Sequence, residues 1–334
     1  MSHLFKPALV YLALLSAPAL AAGPHPIALV IHGGAGVIER SKMTAEAEAS
    51  YRAGLAAALD AGYAVLEQGG TSLDAVSTAV RMMEDDPQFN AGRGAVLNHQ
   101  GDAELDAAIM DGAGPHAGAV AAVHHVKNPI DLARLVMQQS PHVLLVGDGA
   151  EEFALEHGVV LVPRSYFRTE RRMRELEEAR RAEAAKARPP GVTASGTVGA
   201  VALDRAGNLA AATSTGGLTN KHLGRVGDSP LIGAGTYANN ESCAVSGTGD
   251  GEYYIRQVIA YDICALVAYR HLSLEQAVHE VIHRKLTRSG GEGGVIALDP
   301  AGHMAMDFNS AGMFRGARDS AGHRLIGMYG DDLK

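Results

Sequence analysis

The chain has 334 residues and a formal net charge of −8, with apolar residues at 47% and charged residues at 20%. That balance supports a sizeable core, excludes disorder as a global description, and lacks the basic surplus expected of a nucleic-acid binder. Forty glycines stand well above the usual ~7% without a collagen period, and the two cysteines, Cys243 and Cys264, allow one bridge at most.

Residues 1–22 (MSHLFKPALVYLALLSAPALAA) set Lys6 before an apolar run from Ala8 to Leu15 and end on small residues at Ala19 to Ala22. This pattern predicts a cleaved signal peptide and a periplasmic or secreted mature protein. The run is too short for a spanning helix, and no later segment offers ~20 uninterrupted apolar residues, so no membrane partner is expected after cleavage. Ile27–His32 reads as a strand entering the turn Gly33-Gly34-Ala35-Gly36. Helical spacing covers 44–68 and then 71–83, with Thr71 or Ser72 as the cap. Gly118–Val123 and Val143–Gly147 read as strands around a helix at Ile130–Gln139. From Arg168 to Arg188 the chain is dominated by Arg, Lys and Glu, and Pro189-Pro190-Gly191 follows. Mixed charge of this kind predicts a solvated helix and an exposed linker over about 165–195. Beyond it, Val198–Leu203, Leu209–Ser214, Cys243–Gly247 and Val295–Leu298 read as strands, and Glu252–Tyr269 and Leu274–Leu286 as helices. The irregular alternation predicts an α+β layered sandwich, not a doubly wound parallel sheet.

Two motifs invite specific chemistry and fall short of it. The Gly33–Gly36 turn lacks both G-x-G-x-x-G spacing and a Gly-Lys-Ser/Thr sequence, so it is not a nucleotide cradle. His279-Glu280-Val281-Ile282-His283 matches H-E-x-x-H literally, but Leu286 and Ser289 occupy the positions where the extended zinc-protease pattern needs Gly and His. An exposed pair of histidines on an amphipathic helix is the expectation there. The zinc metallopeptidase that it suggests is the less favoured alternative. Residues 196–252 are more specific. Four clusters place hydroxyls or charges beside glycine near strand ends: Gly196-Thr197-Val198-Gly199, Thr213-Ser214-Thr215-Gly216-Gly217, Gly224-Arg225-Val226-Gly227-Asp228, and Ser246-Gly247-Thr248-Gly249-Asp250-Gly251-Glu252. Exposed polar groups on a rigid scaffold are the usual material of a site. Bottom-up, a cation and an anion three residues apart in a glycine-lined loop suit a zwitterionic amino-acid head. Read alone, Arg225 and Asp228 would also serve a non-enzymatic amino-acid clamp.

With these clusters, the HGGAG turn, Asn90-Ala91-Gly92-Arg93-Gly94, Glu104-Leu105-Asp106 and Met110-Asp111-Gly112, the sequence resembles the plant-type L-asparaginase and isoaspartyl peptidase family of N-terminal nucleophile hydrolases from about Ile27 to Gly312. The resemblance implies a four-layer αββα sandwich and autocatalytic cleavage between Gly196 and Thr197. The products would be an α subunit (23–196) and a β subunit (197–334) that together form one domain in an (αβ)2 homodimer. It implies that Thr197 is the nucleophile with its own α-amine as base, that Thr215 orients it, and that Thr248 and Gly249 form the oxyanion hole. Arg225 would bind the substrate α-carboxylate, and Asp228 with the Gly251 carbonyl the α-ammonium, which leaves a β-aspartyl amide at the nucleophile. Asn90 matches a position tied to autocleavage geometry. The preceding loop resembles one whose backbone, here Met83, Glu84, Asp86, Phe89, Ala91 and Arg93, holds a structural sodium ion; no cofactor is expected for catalysis. Glycosylasparaginase is the nearest alternative of the same fold, and the Gly-Thr-Val-Gly context around Thr197 argues against it.

Overall fold

The computed structural model describes residues 25–36, 38–185 and 196–332. The expected signal peptide at 1–22 and the end of the charged linker lie outside the described residues. The strands, in chain order, are β1 (Ala28–Gly36), β2 (Leu105–Asp111), β3 (Ala117–Val123), β4 (Leu144–Val146), β5 (Val198–Leu203), β6 (Leu209–Thr215), β7 (Thr236–Ala238), β8 (Ala244–Gly249), β9 (Gly293–Leu298), β10 (Met304–Phe308), β11 (Gly312–Asp319) and β12 (Arg324–Tyr329). They form one sheet in the order β12-β11-β1-β5-β6-β2-β3-β4 and a second in the order β10-β9-β8-β7. Only the β3–β4 pairing among these ladders is parallel.

Alternation along the strands sorts the core. On β5, Val198, Ala200 and Ala202 join the apolar cluster under the first helices, whereas Val201 and Leu203 join the cluster between the two sheets. On β8, Val245 faces helices and Ala244 faces the other sheet. This period of two is what a strand buried on both faces requires. The large sheet is covered by α1 (Ala45–Glu67), α2 (Ser72–Asp85) and α3 (Pro129–Gln139). In α1 the fully buried Leu55, Leu59 and Leu66 lie on one stripe at helical spacing. Truncating any of them to alanine costs about 2–5 kcal/mol. The α2 helix begins where Thr71 Oγ1 accepts the Asp74 amide at 3.1 Å, so Thr71 is the cap.

Two short helices follow, α4 (Gly147–Glu156) and α5 (Glu170–Ala184). The α5 helix corrects the expectation of a fully solvated charged run. Its Arg172 is 1% exposed and donates to the Gly94 carbonyl at 2.6 Å, and Leu176 packs into the core beside it. The long arginine stem supplies apolar area that composition alone does not reveal. The expected single helix Glu252–Tyr269 is likewise two, α6 (Gly251–Gln257) and α7 (Ile259–Arg270), divided at Val258, whose φ of +52° is left-handed. Then α8 (Leu274–His279) opens with a Ser273 capping box and continues as a π-helical segment over Glu280–Leu286. These last helices cover the outer face of the small sheet. Cys243, just before β8, is disulfide-bonded to Cys264 of α7. No helix among the described residues is long and apolar enough to cross a membrane.

Candidate active site

Thr197 sits immediately before β5, 7% exposed, where the two sheets meet. Its Oγ1 donates to Thr215 Oγ1 at 3.1 Å, and Thr215 Oγ1 also accepts the Gly217 amide at 3.0 Å. Thr215 ends β6, opposite Asp106 on β2, so three strands fix the position of this hydroxyl pair. The Thr197 amide faces Thr248 Oγ1 at 3.4 Å, and the same oxygen accepts the Ala35 amide at 3.1 Å. Thr248 and Gly249 end β8, with Gly249 paired to Gly293 of β9. The Tyr254 hydroxyl bonds the Thr248 carbonyl at 3.2 Å and the Gly294 carbonyl at 3.0 Å, which holds this strand end in place.

The glycine turn after His32 lies against the Gly196–Thr197 bond. A β-carbon on Gly34, which has φ +114°, would come within 2.2 Å of Gly196 Cα, and one on Gly196 would stand 2.7 Å from the Gly33 carbonyl oxygen. Neither position admits a side chain, because two backbones pass in direct contact. A register shift in the β1–β11 ladder between His32 and Gly34 bends the strand into this approach. Asn90 holds the opposite wall. Its Nδ2 donates to the Gly217 carbonyl at 2.8 Å and its Oδ1 accepts the Val96 amide at 2.8 Å. A cavity beside Gly196 is lined by Gly33, Ile38, Tyr51, Asn90, Arg171 and Phe314, so part of α5 closes over the bond.

His32 is a further candidate site residue, one that the sequence showed only as the polar end of an apolar run. It is fully buried, and burial lowers its imidazole to about 3, so the ring is neutral. Nδ1 lies 2.9 Å from the Thr197 carbonyl and Nε2 2.9 Å from Ser246 Oγ. A carbonyl only accepts, so Nδ1 carries the proton and Nε2 receives the Ser246 hydroxyl. Ser246 in turn lies 2.7 Å from Thr213 Oγ1, and Thr236 Oγ1 lies 2.6 Å from Thr213 Oγ1. The Thr197 carbonyl thus sets the tautomer, and a network of buried hydroxyls holds the far side of the ring.

Arg225, Asp228 and Gly251 form the other end of the site. A β-carbon on Gly251 would stand 2.9 Å from both Arg225 Nη2 and Asp228 Oδ1, so the three converge. Asp228 is buried and its Oδ2 has no hydrogen-bond partner among the described residues; burial pushes this carboxyl up to about 7. The Arg225 fork is occupied by Glu252, with Nε to Oε1 and Nη2 to Oε2 each at 3.0 Å. Burial would raise the Glu252 carboxyl, but the hydrogen bonds and charge of Arg225 outweigh it and hold the group low. Glu252 was visible as the end of the fourth cluster, and the signal for its role is a carboxylate one helical step beyond Gly251.

The loop Met83–Arg93 folds back on itself. The carbonyl oxygens of Glu84, Pro87 and Phe89 crowd the backbone of Gly92 and Gly94, while the Asp86 and Ala91 carbonyls already accept main-chain amides. The Glu84 side chain is used elsewhere, accepting the Ser214 hydroxyl at 2.6 Å and the Ile130 amide at 3.0 Å. His279 and His283 lie on the helical face of the small sheet, opposite the face that carries Ser246 and Thr248.

Comparison with known proteins gives the family. The asparaginase family model matches residues 25–327. The isoaspartyl peptidase of Escherichia coli is 51% identical over 292 residues, which is 86% of this chain and 91% of that protein. The isoaspartyl peptidase of Salmonella typhimurium is 52% identical over 86% of this chain and 93% of its own length. The isoaspartyl peptidase/L-asparaginase of Bos taurus is 42% identical over 91% of this chain and 96% of its own length. On the extent of these matches, the chain belongs to the plant-type asparaginase and isoaspartyl peptidase family.

Proposed function

We propose that this protein is a self-processing threonine hydrolase that cleaves β-aspartyl dipeptides and hydrolyses L-asparagine to L-aspartate and ammonia. The observation that carries the reading is the Thr197 hydroxyl, hydrogen-bonded to Thr215 and adjacent to a Gly196 peptide seated on glycine backbone. In processing, Thr197 Oγ attacks the Gly196 carbonyl carbon and the peptide C–N bond breaks. The acyl group moves from nitrogen to oxygen, and water hydrolyses the ester. The freed Thr197 then carries nucleophile and base in one residue. An α-amine titrates near 7.7–8.0, so it is available as a base close to neutrality.

In turnover the α-amine takes the Oγ proton as Oγ attacks the β-amide carbonyl. Thr248 Oγ and the Gly249 amide receive the developing oxyanion, each typically worth ~2.7–4 kcal/mol in a preorganised site. The leaving amine departs protonated, and water releases aspartate. Arg225 binds the α-carboxylate through its planar fork, and Asp228 with the Gly251 carbonyl binds the α-ammonium. A substrate carboxylate must displace Glu252 from the fork, and an α-ammonium would supply the partner that Asp228 Oδ2 lacks. A glycosylasparaginase-like reading has no comparable support, and the far-side position of His279 and His283 disfavours a metallopeptidase.

We extend the reading to organisation. The helix–sheet–sheet–helix packing supports a four-layer αββα sandwich shared by an α subunit (23–196) and a β subunit (197–334), paired as an (αβ)2 homodimer. The neutral carbonyl oxygens bordering Gly92 and Gly94 suit a hard cation such as structural Na+. The signal-like N-terminus and the Cys243–Cys264 bridge suit an oxidising, periplasmic or secreted setting.

The test is the intact mass of purified wild-type protein beside Thr197→Ala, followed by turnover of β-Asp-Leu and asparagine. Two fragments divided before Thr197 in the wild type only are expected. An active wild-type chain that stays uncut would refute the N-terminal nucleophile.

A further inference from the structure

His279 and His283 stand one turn apart, and the helix carrying them changes to π geometry between them. Their rings lie 4.6 Å apart, tilted by 35°, so the imidazoles lie side by side. Facing both is Asp307 of the edge strand β10. Asp307 pairs with Val295 of β9, and Val295 belongs to the apolar cluster under these helices, which places Asp307 on the helical face of the sheet. One carboxylate oxygen is 2.7 Å from His283 Nε2 and the other 3.7 Å from His279 Nδ1. The Phe308 amide donates to Asp307 Oδ1 at 2.9 Å and holds the carboxylate in this orientation. The three donor atoms all lie within 4.8 Å of one another.

We propose that His279, His283 and Asp307 form a binding site for one divalent transition-metal ion, with Zn2+ as its best-suited occupant. Two imidazole nitrogens and one carboxylate oxygen are a donor set for zinc and its neighbours, whereas Ca2+ and Mg2+ favour oxygen throughout. The backbone amide on Asp307 supplies the outer support such ligands need. His279 and Asp307 are partly exposed, which leaves room for water to complete the coordination.

The site binds metal without hydrolysing peptides. The glutamate of the His-Glu-x-x-His sequence, Glu280, is paired with Arg284 at 3.0 Å and is not one of the clustered donor groups, so it is not set as a general base. The donors also lie across the small sheet from Thr248, so a bound ion cannot reach Thr197. What the ion would do is tie the π-helical segment to β10, an edge strand whose outer side has no strand partner among the described residues. The inference does not depend on which residue is the nucleophile.

The experiment is calorimetric titration of the full, chelator-treated protein with ZnCl2, alongside His279→Ala, His283→Ala, Asp307→Asn and the control His323→Ala. His323 pairs with a single aspartate, Asp319, and reports adventitious surface binding. The expected result is one Zn2+ per chain, weakened at least tenfold in each of the three site variants and unchanged in the control. Thermal melts provide an independent readout: added Zn2+ should raise the midpoint of the wild type and of His323→Ala but not of the site variants. Matching midpoints in chelator establish that the variants fold. Absence of saturable one-to-one binding, or binding that survives His283→Ala unchanged, would overturn the proposal.

Discussion

The two ends of the active site are built on opposite plans. At the Thr197 end, His32, Ser246, Thr213 and Thr236 are fully buried and their polar side-chain atoms are joined in one relay. At the Arg225 end, charge predominates and is incompletely matched: Asp228 holds an unpartnered oxygen, and the Arg225 fork is filled by half-exposed Glu252. The difference teaches a division of labour. On the proposed function, the Thr197 end would hold the reacting groups in a preorganised network, while the Arg225 end would exchange its internal pairings for those of a zwitterion.

Breaking the first end should have the largest effect. Thr197→Ala is expected to leave a single uncut chain and to lower turnover by about 10⁴-fold or more, measured by intact mass and by ammonia release. Breaking the second should spare processing. Arg225→Lys keeps the charge and loses the fork, so kcat/KM should fall about 10- to 100-fold while the two fragments still appear at the wild-type rate. A processing defect equal to the turnover defect would merge the two ends into one. The relay gives a graded test of the first end. His32→Leu should slow fragment formation by about tenfold or more, and His32→Asn should recover part of it, because an amide N–H replaces Nδ1–H toward the Thr197 carbonyl.

Asp228 makes the second end pH-sensitive. Its carboxyl is raised to about 7 by burial, and an α-ammonium requires the ionised form. KM for asparagine should therefore rise as pH falls below about 7 and level off above it, and Asp228→Asn should flatten that profile at a high KM. For folding, the sign is opposite. A carboxyl raised above its unfolded value stabilises most at low pH, and this contribution is lost as pH rises toward about 7. The smallest effect belongs to Glu252→Gln. A half-exposed ion pair is typically worth ~0.2–1 kcal/mol, so freeing the fork should lower KM by no more than about fivefold.

Most of the residues that converge at the candidate site were legible because hydroxyls beside glycine at strand ends are written locally. Thr197, Thr215, Thr248, Arg225 and Asp228 all lie within 52 residues, in clusters that read as clusters. His32 was not legible in the same way, because its partners Thr197 and Ser246 are 165 and 214 positions away and only the sheet pairing joins them. The docking of Arg172 was hidden for a related reason: a charged run looks solvated until tertiary packing finds a use for one arginine stem. β10 and β12 are edge strands with partly exposed residues, and β11 breaks its apolar run with Gly312, Arg315, Gly316 and Arg318, so their alternation was too weak to separate from turns. The break at Val258 left no trace, since valine ordinarily avoids that conformation.

Strand order has one more consequence. β1 belongs to the segment before Gly196, yet it lies between β11 and β5, which come after Thr197, and β6 pairs with β2 from the earlier segment. A cut at Gly196–Thr197, as proposed, would leave two pieces interleaved like the fingers of clasped hands, and the disulfide, with both cysteines after Thr197, would not join them. They cannot part without dismantling the large sheet. Such a cut would also remove the tether under which that sheet formed, so a molecule that unfolded after maturation would have to reassemble from two chains at a concentration-dependent rate. Maturation would thus act as a ratchet: the active form is assembled once, as a single polypeptide, and its working lifetime is set by how slowly it comes apart.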